Sequence, residues 1–290
     1  MLRYLILSGL LVLSSLAGHA AAQSPTPAPE TAYGLRLVVA PLPPEAAPEP
    51  SATQEPPPPP DLEAIAEVLR ARLEAATLLN YRVTVGEDEN TLVIEAFLGQ
   101  GDDRSADAFQ ASVLESVARL GSLEFVDFSA LDPADVPSEG DCILTTELLR
   151  VAGADFTCAG APGVAPMPAA LDAASKPFPT LLTSAALANA QAIPNSFQNE
   201  SWGLSLEFTD EAAAILADFT AAHIGEPLGI VLDGVVLLVP IIQAPIFQYA
   251  WITSDFDRAS AEKIATLLQG GALPVRLEVL EVTLLTFDTP

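Results

Sequence analysis

The stretch Ile230-Val231-Leu232-Asp233-Gly234-Val235-Val236-Leu237-Leu238 carries the strongest local signal in the chain. Two apolar, β-branched runs flank Asp233-Gly234, a pair that two-residue hairpin turns favour because both turn residues need positive φ. The sequence therefore predicts a β-hairpin. The surrounding range 227–253 contains a single charged residue, Asp233. A membrane helix is disfavoured there, because Pro240 and Pro245 would break it twice.

Strand and helix patterns alternate on both sides of this hairpin. The helices and strands that we expect, in chain order, are a strand at 35–39, a helix after Asp61, strands at 81–85 and 92–97, a helix after Ser105, a strand at 123–128, a strand at 204–208, a helix after Thr209 or Asp210, a strand at 249–253, a helix after Asp257 and a strand at 275–285. The order from 61 to 128 is most of a βαββαβ unit, with 35–39 as its first strand. The predicted fold class is α+β.

The N-terminal region has the composition of a targeting segment followed by a linker. Residues 1–22 contain Arg3, an apolar run and Ala20-Ala21-Ala22, which together are typical of a cleavable signal peptide. An uncleaved N-terminal anchor is the alternative. Residues 23–60 are proline-rich and end in five consecutive prolines, so we expect a semi-rigid or disordered linker.

Charge limits the classes of function. The chain has 290 residues with 38 acidic and 12 basic side chains, a formal net charge of −26. Such a surface repels phosphate backbones, which argues against nucleic-acid binding. Two histidines occur, and His19 lies in the targeting segment. A catalytic triad or a histidine-rich metal site would therefore depend on His223 alone.

No catalytic, cofactor-binding or metal-binding residue is predicted, and we do not expect an enzyme. His223 lies near the end of a predicted helix, where a histidine is typically a packing or helix-terminal residue. Asp102, Asp103 and Asp107 lack the ligand spacing of a calcium loop and fit helix capping. Asp233 is explained by its place in the hairpin turn.

The two cysteines are expected to pair. Cys142 and Cys158 are the only cysteines of the chain. In an exported protein an even number of cysteines favours a disulfide, and a loop of this length would be stabilised by about 3 kcal/mol. Two buried free thiols are the alternative.

The range from Phe208 to Leu277 resembles the extracytoplasmic P1 domain of the SecD/SecDF protein-export membrane proteins. The residues that carry the resemblance are Thr220, Gly225, the Ile230–Gly234 hairpin with Asp233 and Gly234, Pro240, Pro245, and Gly271, Ala272, Leu273 and Pro274. A weaker match covers the helix at 68–73 and the strands at 92–99 and 121–125. Arg276 departs from the family pattern, which has a proline there.

The resemblance implies a ferredoxin-like βαββαβ base with an inserted α+β head. On that basis we expect the first part of the base at 61–139, the head at 140–254, and the returning helix and strand of the base at 255–290. The membrane helices of the family have no counterpart in this sequence, so their energy coupling is not carried over. We expect a stand-alone exported chain, located in the periplasm, the cell envelope or outside the cell.

The resemblance also implies a function. The expected function is a non-enzymatic accessory role in Sec-dependent translocation, or binding of extracytoplasmic polypeptide, without a cofactor. The partners would be unfolded or emerging polypeptide and Sec translocon components. A SecD-derived binding or structural module with no Sec role is the alternative. Candidate polypeptide contacts are Trp202, Phe247, Tyr249 and Trp251. Tyr249 and Trp251 share one strand face, which is either core or a peptide-binding surface.

Overall fold

A computed structural model describes residues 31–42, 60–78, 80–88, 90–98, 104–158, 166–195 and 201–288. The predicted signal peptide, Asp102, Asp103 and most of the predicted linker lie outside these ranges. The helices and strands, in chain order, are β1 (Thr31–Leu42), α1 (Leu62–Ala75), β2 (Asn80–Val85), β3 (Leu92–Phe97), α2 (Ala106–Ala118), β4 (Leu123–Asp127), α3 (Thr146–Ala152), β5 (Thr157–Cys158), β6 (Met167–Pro168), β7 (Thr180–Leu182), β8 (Leu187–Pro194), β9 (Trp202–Phe208), α4 (Asp210–Ala222), β10 (Leu228–Leu232), β11 (Val235–Leu238), β12 (Tyr249–Phe256), α5 (Arg258–Gln269) and β13 (Arg276–Asp288). None of the helices in these ranges is both long and apolar enough to cross a bilayer.

Four antiparallel strands in the order β13-β1-β3-β2 form what we call the base sheet. This is the strand order of a ferredoxin-like βαββαβ unit, with β13 as its fourth strand. Leu35 and Leu37 of β1 are fully buried together with Leu69 of α1 and Val113 of α2, which shows that both helices cover the same core. β1 lies inside the range predicted as a linker and is longer than the strand expected at 35–39.

The strand expected at 123–128 does not complete the βαββαβ unit, and this part of the prediction is wrong. β13 pairs with β1 over all twelve residues of β1, and β3 occupies the other side. Both edges of β1 are therefore paired with other strands. β4 instead joins a second sheet, the central sheet, in the order β11-β10-β4-β7.

A third sheet, the head sheet, has the order β12-β9-β8. Leu204 and Leu206 of β9 are fully buried in the same core as Ala261 and Leu268 of α5. α5 packs against the head sheet and also contacts α1 of the base, and β13 pairs with β1 in the base sheet. The limits of base and head stay predictions.

The local signals of the sequence agree with the structure. Asp233 and Gly234 form the turn between β10 and β11 with φ angles of 49° and 81°. Three predicted N-caps accept hydrogen bonds from backbone N–H groups of the first helical turn and are confirmed: Asp61, Ser105 and Asp257. Of the two alternatives Thr209 and Asp210, the structure has Thr209 as the N-cap.

A disulfide joins Cys142 and Cys158, whose Cα atoms are 5.9 Å apart. Both residues are buried, and Cys142 forms a β-bridge with Val235 of β11. The disulfide therefore fastens the segment 142–158 against the hairpin of β10 and β11, which we call the central hairpin.

Candidate functional site: the exposed face of the head sheet and the junction beneath it

The outer face of the head sheet, opposite α5, is the candidate site. Strand register fixes which side chains are neighbours there, because cross-strand partners share one face. The three rows of this face are Tyr249, Glu207 and Asn189; Trp251, Ser205 and Gln191; and Thr253, Gly203 and Ile193. We call these nine residues the outer face.

Large aromatic side chains are exposed at one border of the outer face. Trp251 is 69% exposed, Tyr249 is 59% exposed and Phe247, just before β12, is 65% exposed. Ile252, on the opposite side of β12, is buried in the head core. Because strand side chains alternate, the face shared by Tyr249 and Trp251 points to solvent and is not core.

Trp202 is separated from the other three candidate contact residues. It pairs with Phe256 at the end of β12 and lies on the core side of the sheet. The guanidinium of Arg258 lies 5.1 Å from the centre of its ring. Trp202 is therefore a packing residue of the head, with a cation–π contact to α5.

β12 is an edge strand with an unpaired side. Within the described residues its only strand partner is β9, and β8 forms the opposite border of the sheet. An edge strand offers a row of backbone N–H and C=O groups to a further strand. The exposed rings of Tyr249 and Trp251 stand directly beside this row.

A hydrogen bond gives the aromatic border a charged neighbour. The hydroxyl of Tyr249 donates to Oε1 of Glu207 at 3.1 Å. This bond and the negative charge of Glu207 raise the pKa of Tyr249, because both oppose ionisation of the phenol. A carboxylate thus lies next to the Tyr249 ring on a face that contains no lysine or arginine.

The candidates for catalysis or metal binding are not brought together. No group of three or more histidine, cysteine or acidic side chains in the described ranges is arranged to hold a metal ion. His223 lies at the C-terminal end of α4, where its ring stacks on Phe219 and Nδ1 lies 2.8 Å from the Phe219 carbonyl oxygen. Asp107 lies in the first turn of α2.

Asp233 has a role that its turn position did not indicate. Its carboxylate accepts from the backbone N–H of Ser122 at 2.8 Å and from Nε of Arg119 at 3.2 Å. Burial raises the pKa of Asp233, while Arg119, the Ser122 N–H and Arg72 act in the opposite direction. Asp233 therefore fastens the central hairpin to the segment between α2 and β4. We call the region where Asp233, the segment 119–122 and Gly271 meet the junction.

Arg72 of α1 is the buried cation of this junction. Its side chain is 1% exposed and donates to four backbone carbonyls, those of Ser116, Arg119, Leu120 and Gly271. Burial is the largest influence on this guanidinium and lowers its pKa to about 10. The chain passes from α2 to β4 and from α5 to β13 at these carbonyls, so one side chain binds both connections.

Glu124 of β4 is a second buried ionisable group near the junction. It is fully buried, and its Oε2 accepts from Oγ1 of Thr180 at 2.6 Å. Burial raises its pKa to about 7, against smaller opposite effects of hydrogen bonds from Thr180, Thr145 and Ser122. No sequence pattern distinguished Glu124 from an exposed strand glutamate.

Comparison with known proteins identifies one similar domain in the second half of the chain. Residues 173–275 match the family model described as SecDF, P1 head subdomain. The protein translocase subunit SecD of Dictyoglomus turgidum is 40% identical over 103 residues, which are 35% of this chain and 25% of that protein. SecDF of Thermus thermophilus is 41% identical over 105 residues, 36% of this chain and 14% of that protein. The range 173–275 is therefore similar to the P1 head subdomain of the SecD/SecDF proteins.

Solved SecDF structures extend the similarity beyond the head. A SecDF crystal structure in a super-membrane-facing form matches 87% of this chain and 30% of its own, with 26% identity and a TM-score of 0.57. A second solved chain, described as a membrane component SecDF that enhances protein export, matches over 85% of this chain and 98% of its own, with 25% identity and a TM-score of 0.54. This chain spans about a quarter of the length of the SecD of Dictyoglomus turgidum.

The SecD-type motif residues lie in turns and at packing contacts of the domain. Thr220 is fully buried, donates to the Leu216 carbonyl oxygen at 2.6 Å and accepts from the Ile246 N–H at 2.8 Å. The Pro240 carbonyl accepts from Leu228 at 3.0 Å. Gly225 and Gly271 have positive φ angles.

The motif segment 271–274 lies at the junction. The Leu273 N–H donates to the Leu120 carbonyl at 2.8 Å, and Gly271 supplies a carbonyl to Arg72. Of the other two residues, Ala272 is half-buried and Pro274 is exposed. The motif thus marks the framework of the SecD-type domain rather than its exposed aromatic surface.

Proposed function

We propose that this chain is a non-enzymatic accessory of Sec-dependent protein export that binds extended polypeptide outside the cytoplasm. One observation carries the proposal: Tyr249 and Trp251 are exposed beside the unpaired edge of β12 in a SecD-type head. The SecD relatives are named protein translocase subunits, and one solved SecDF is described as enhancing protein export.

Physical chemistry supports polypeptide as the ligand. Adjacent exposed aromatic side chains are unusual on a soluble domain unless they contact a partner. An unfolded chain offers backbone groups to an unpaired strand edge and apolar side chains to neighbouring rings. The net charge of −26 favours segments with basic residues and disfavours acidic ones.

A binding experiment tests the proposal. Trp202 and Trp251 are the two tryptophans of the chain, so Trp202→Phe leaves Trp251 as a fluorescence reporter within the candidate site. Titration with a reduced and alkylated secretory protein should change its emission. In the unmodified chain, Tyr249→Ser with Trp251→Ser should weaken binding roughly tenfold or more. The matched control is Leu284→Ser, which removes a 55% exposed apolar side chain from β13 of the base.

Two results would contradict the proposed binding site. Equal loss of affinity in the Leu284→Ser control, or unchanged affinity in the double variant, would place binding elsewhere or show it to be non-specific.

The Sec role needs an experiment in cells. A photo-reactive amino acid in place of Trp251 should form crosslinks to secretory chains or Sec membrane components in exporting cells. Repeated absence of both, with polypeptide binding retained in vitro, would favour an extracytoplasmic binding module without a Sec role. N-terminal sequencing of the exported protein tests the predicted cleavage after residue 22.

A further inference from the structure

We propose that β12 accepts a client segment as an added strand and selects segments in which a lysine or arginine and an apolar residue stand two positions apart. This inference rests on the proposed polypeptide-binding function. It assigns the selection to Tyr249, Trp251 and Glu207, which the outer face brings together in adjacent rows.

The row geometry sets the spacing. Tyr249 and Trp251 are two residues apart on β12, with the buried Ile252 on the opposite side of the strand. A strand added beside β12 would place alternate side chains on the outer face, one opposite Tyr249 and the next opposite Trp251. Two client side chains that are two positions apart can therefore contact both rings at once.

The Tyr249 row suits a cation. Glu207 follows Tyr249 in that row, and the Tyr249 hydroxyl donates to its Oε1 at 3.1 Å. The carboxylate has further lone pairs for a donor, and among the described residues it makes no ion pair. A client lysine or arginine opposite Tyr249 can lay its stem along the ring, contact the ring face and direct its charge towards Glu207.

The Trp251 row suits an apolar side chain. Trp251 is followed by Ser205, a small residue, and the row ends at Gln191, which is exposed. No charged side chain lies in this row, so an aliphatic or aromatic client residue can pack on the indole without desolvating a charge. The two rows therefore differ in chemistry, which gives the added segment a preferred register.

Charge complementarity favours a basic polypeptide segment over the other molecules that could cover this strand edge. A second copy of the chain is disfavoured, because both copies carry a net charge of −26 and would bring their Glu207 carboxylates to the same interface. A neutral glycan could stack on Tyr249 and Trp251, but it would gain nothing from the charge of Glu207. A basic polypeptide segment uses the edge, both rings and the carboxylate.

A peptide series tests the register. The first peptide carries lysine and phenylalanine two positions apart, and the second has the same composition with the two residues three positions apart. A third replaces the lysine by glutamate. In the Trp202→Phe background we expect the first peptide to bind about three- to tenfold more tightly than the second and more tightly still than the third.

Matched variants identify the residues. Glu207→Gln should reduce the ratio of affinities for the first and second peptides below about twofold. Tyr249→Phe should still bind the first peptide more tightly than the second, because the aromatic ring remains. Glu278→Gln removes an exposed carboxylate from β13 of the base and should leave the preference unchanged. Thermal melting of each variant checks that the domain is folded.

These experiments distinguish a failure of strand addition with basic selection from a failure of polypeptide binding itself. If all three peptides bind equally, or if the preference survives Glu207→Gln, strand addition with basic selection is overturned while polypeptide binding stands. If no peptide binds and chitohexaose changes the Trp251 emission, both are overturned in favour of a glycan site.

Discussion

Glu124→Gln is expected to stabilise the domain at neutral and alkaline pH and to do so much less in acid. The carboxyl is fully buried on β4, with Oγ1 of Thr180 as its closest partner at 2.6 Å. A glutamine keeps the shape and can still accept from Thr180, but it cannot ionise.

The magnitude follows from the pKa of Glu124. Burial raises this pKa from 4.5 to about 7. The folded state therefore holds its proton at pH values where the unfolded state has lost it, and the free energy of unfolding falls as the pH rises from about 4.5 to about 7. At about 1.4 kcal/mol per pKa unit, the loss is about 3 kcal/mol above pH 7 and is absent below pH 4.

Urea unfolding of both proteins at a series of pH values from 4 to 8 measures this effect. The difference in free energy of unfolding between Glu124→Gln and the unchanged chain should grow by about 3 kcal/mol across the series. Glu67→Gln, at an exposed position of α1, controls for removal of one negative charge. A difference for Glu124→Gln that stays constant with pH would refute the assignment of Glu124 as a buried group that titrates near neutrality.

Three further predictions concern the framework. Gly234→Val should lower the free energy of unfolding by about 3 kcal/mol, because the turn needs positive φ and a Cβ would lie 2.6 Å from the Phe156 ring; an unchanged urea midpoint would contradict this. Replacing Cys142 and Cys158 by serine should cost about 3 kcal/mol, and free thiols detected by mass analysis of the unreduced, exported protein would refute the bridge. Arg72→Met should cost about 3 kcal/mol or more, since four carbonyls lose the guanidinium donor, although that of Leu120 keeps the Leu273 N–H; a cost below about 1 kcal/mol in urea unfolding would argue against the junction.

Local signals predicted most elements, and pairing between distant segments limited the prediction. The Asp233-Gly234 turn and the caps at Ser105, Thr209 and Asp257 depend on residues close in sequence, and the structure has all of them. The partner of β1 depends on a strand more than two hundred residues away. Sequence periodicity contains no information on that choice, so 123–128 was assigned to the wrong sheet.

β8 shows a second limit. Its sequence, Leu187 to Pro194, alternates alanine with Asn189 and Gln191, but alanine is depleted in strands, so the strand signal was weak. Its pairing with β9 and its contact with α5 impose the extended conformation. Because β8 was missed, Asn189 and Gln191 of the outer face could not be predicted.

The sequence indicated candidate residues by their chemical type, but it did not indicate which residues would be their neighbours in the fold. Tyr249 and Trp251 attracted attention as aromatic residues two positions apart, but their exposure depends on which face α5 covers. Glu207 and Glu124 are both glutamates in apolar strands. One lies at the surface beside Tyr249 and the other is fully buried, and only the packing of the three sheets separates their chemistry.

The family motif and the proposed binding surface occupy different parts of the domain, and this separation has a consequence for specificity. Asp233 and Gly271 act at the junction, together with Arg72, and Thr220 holds α4 to the segment before β12. These contacts are buried and mutually dependent, so changes there act through stability. Tyr249 and Glu207 lie on the outer face of the head sheet, away from these buried contacts. Under the proposed function, exchanges at those positions would alter which polypeptide segments bind without disturbing the framework, so a SecD-type fold is compatible with a client preference particular to this chain.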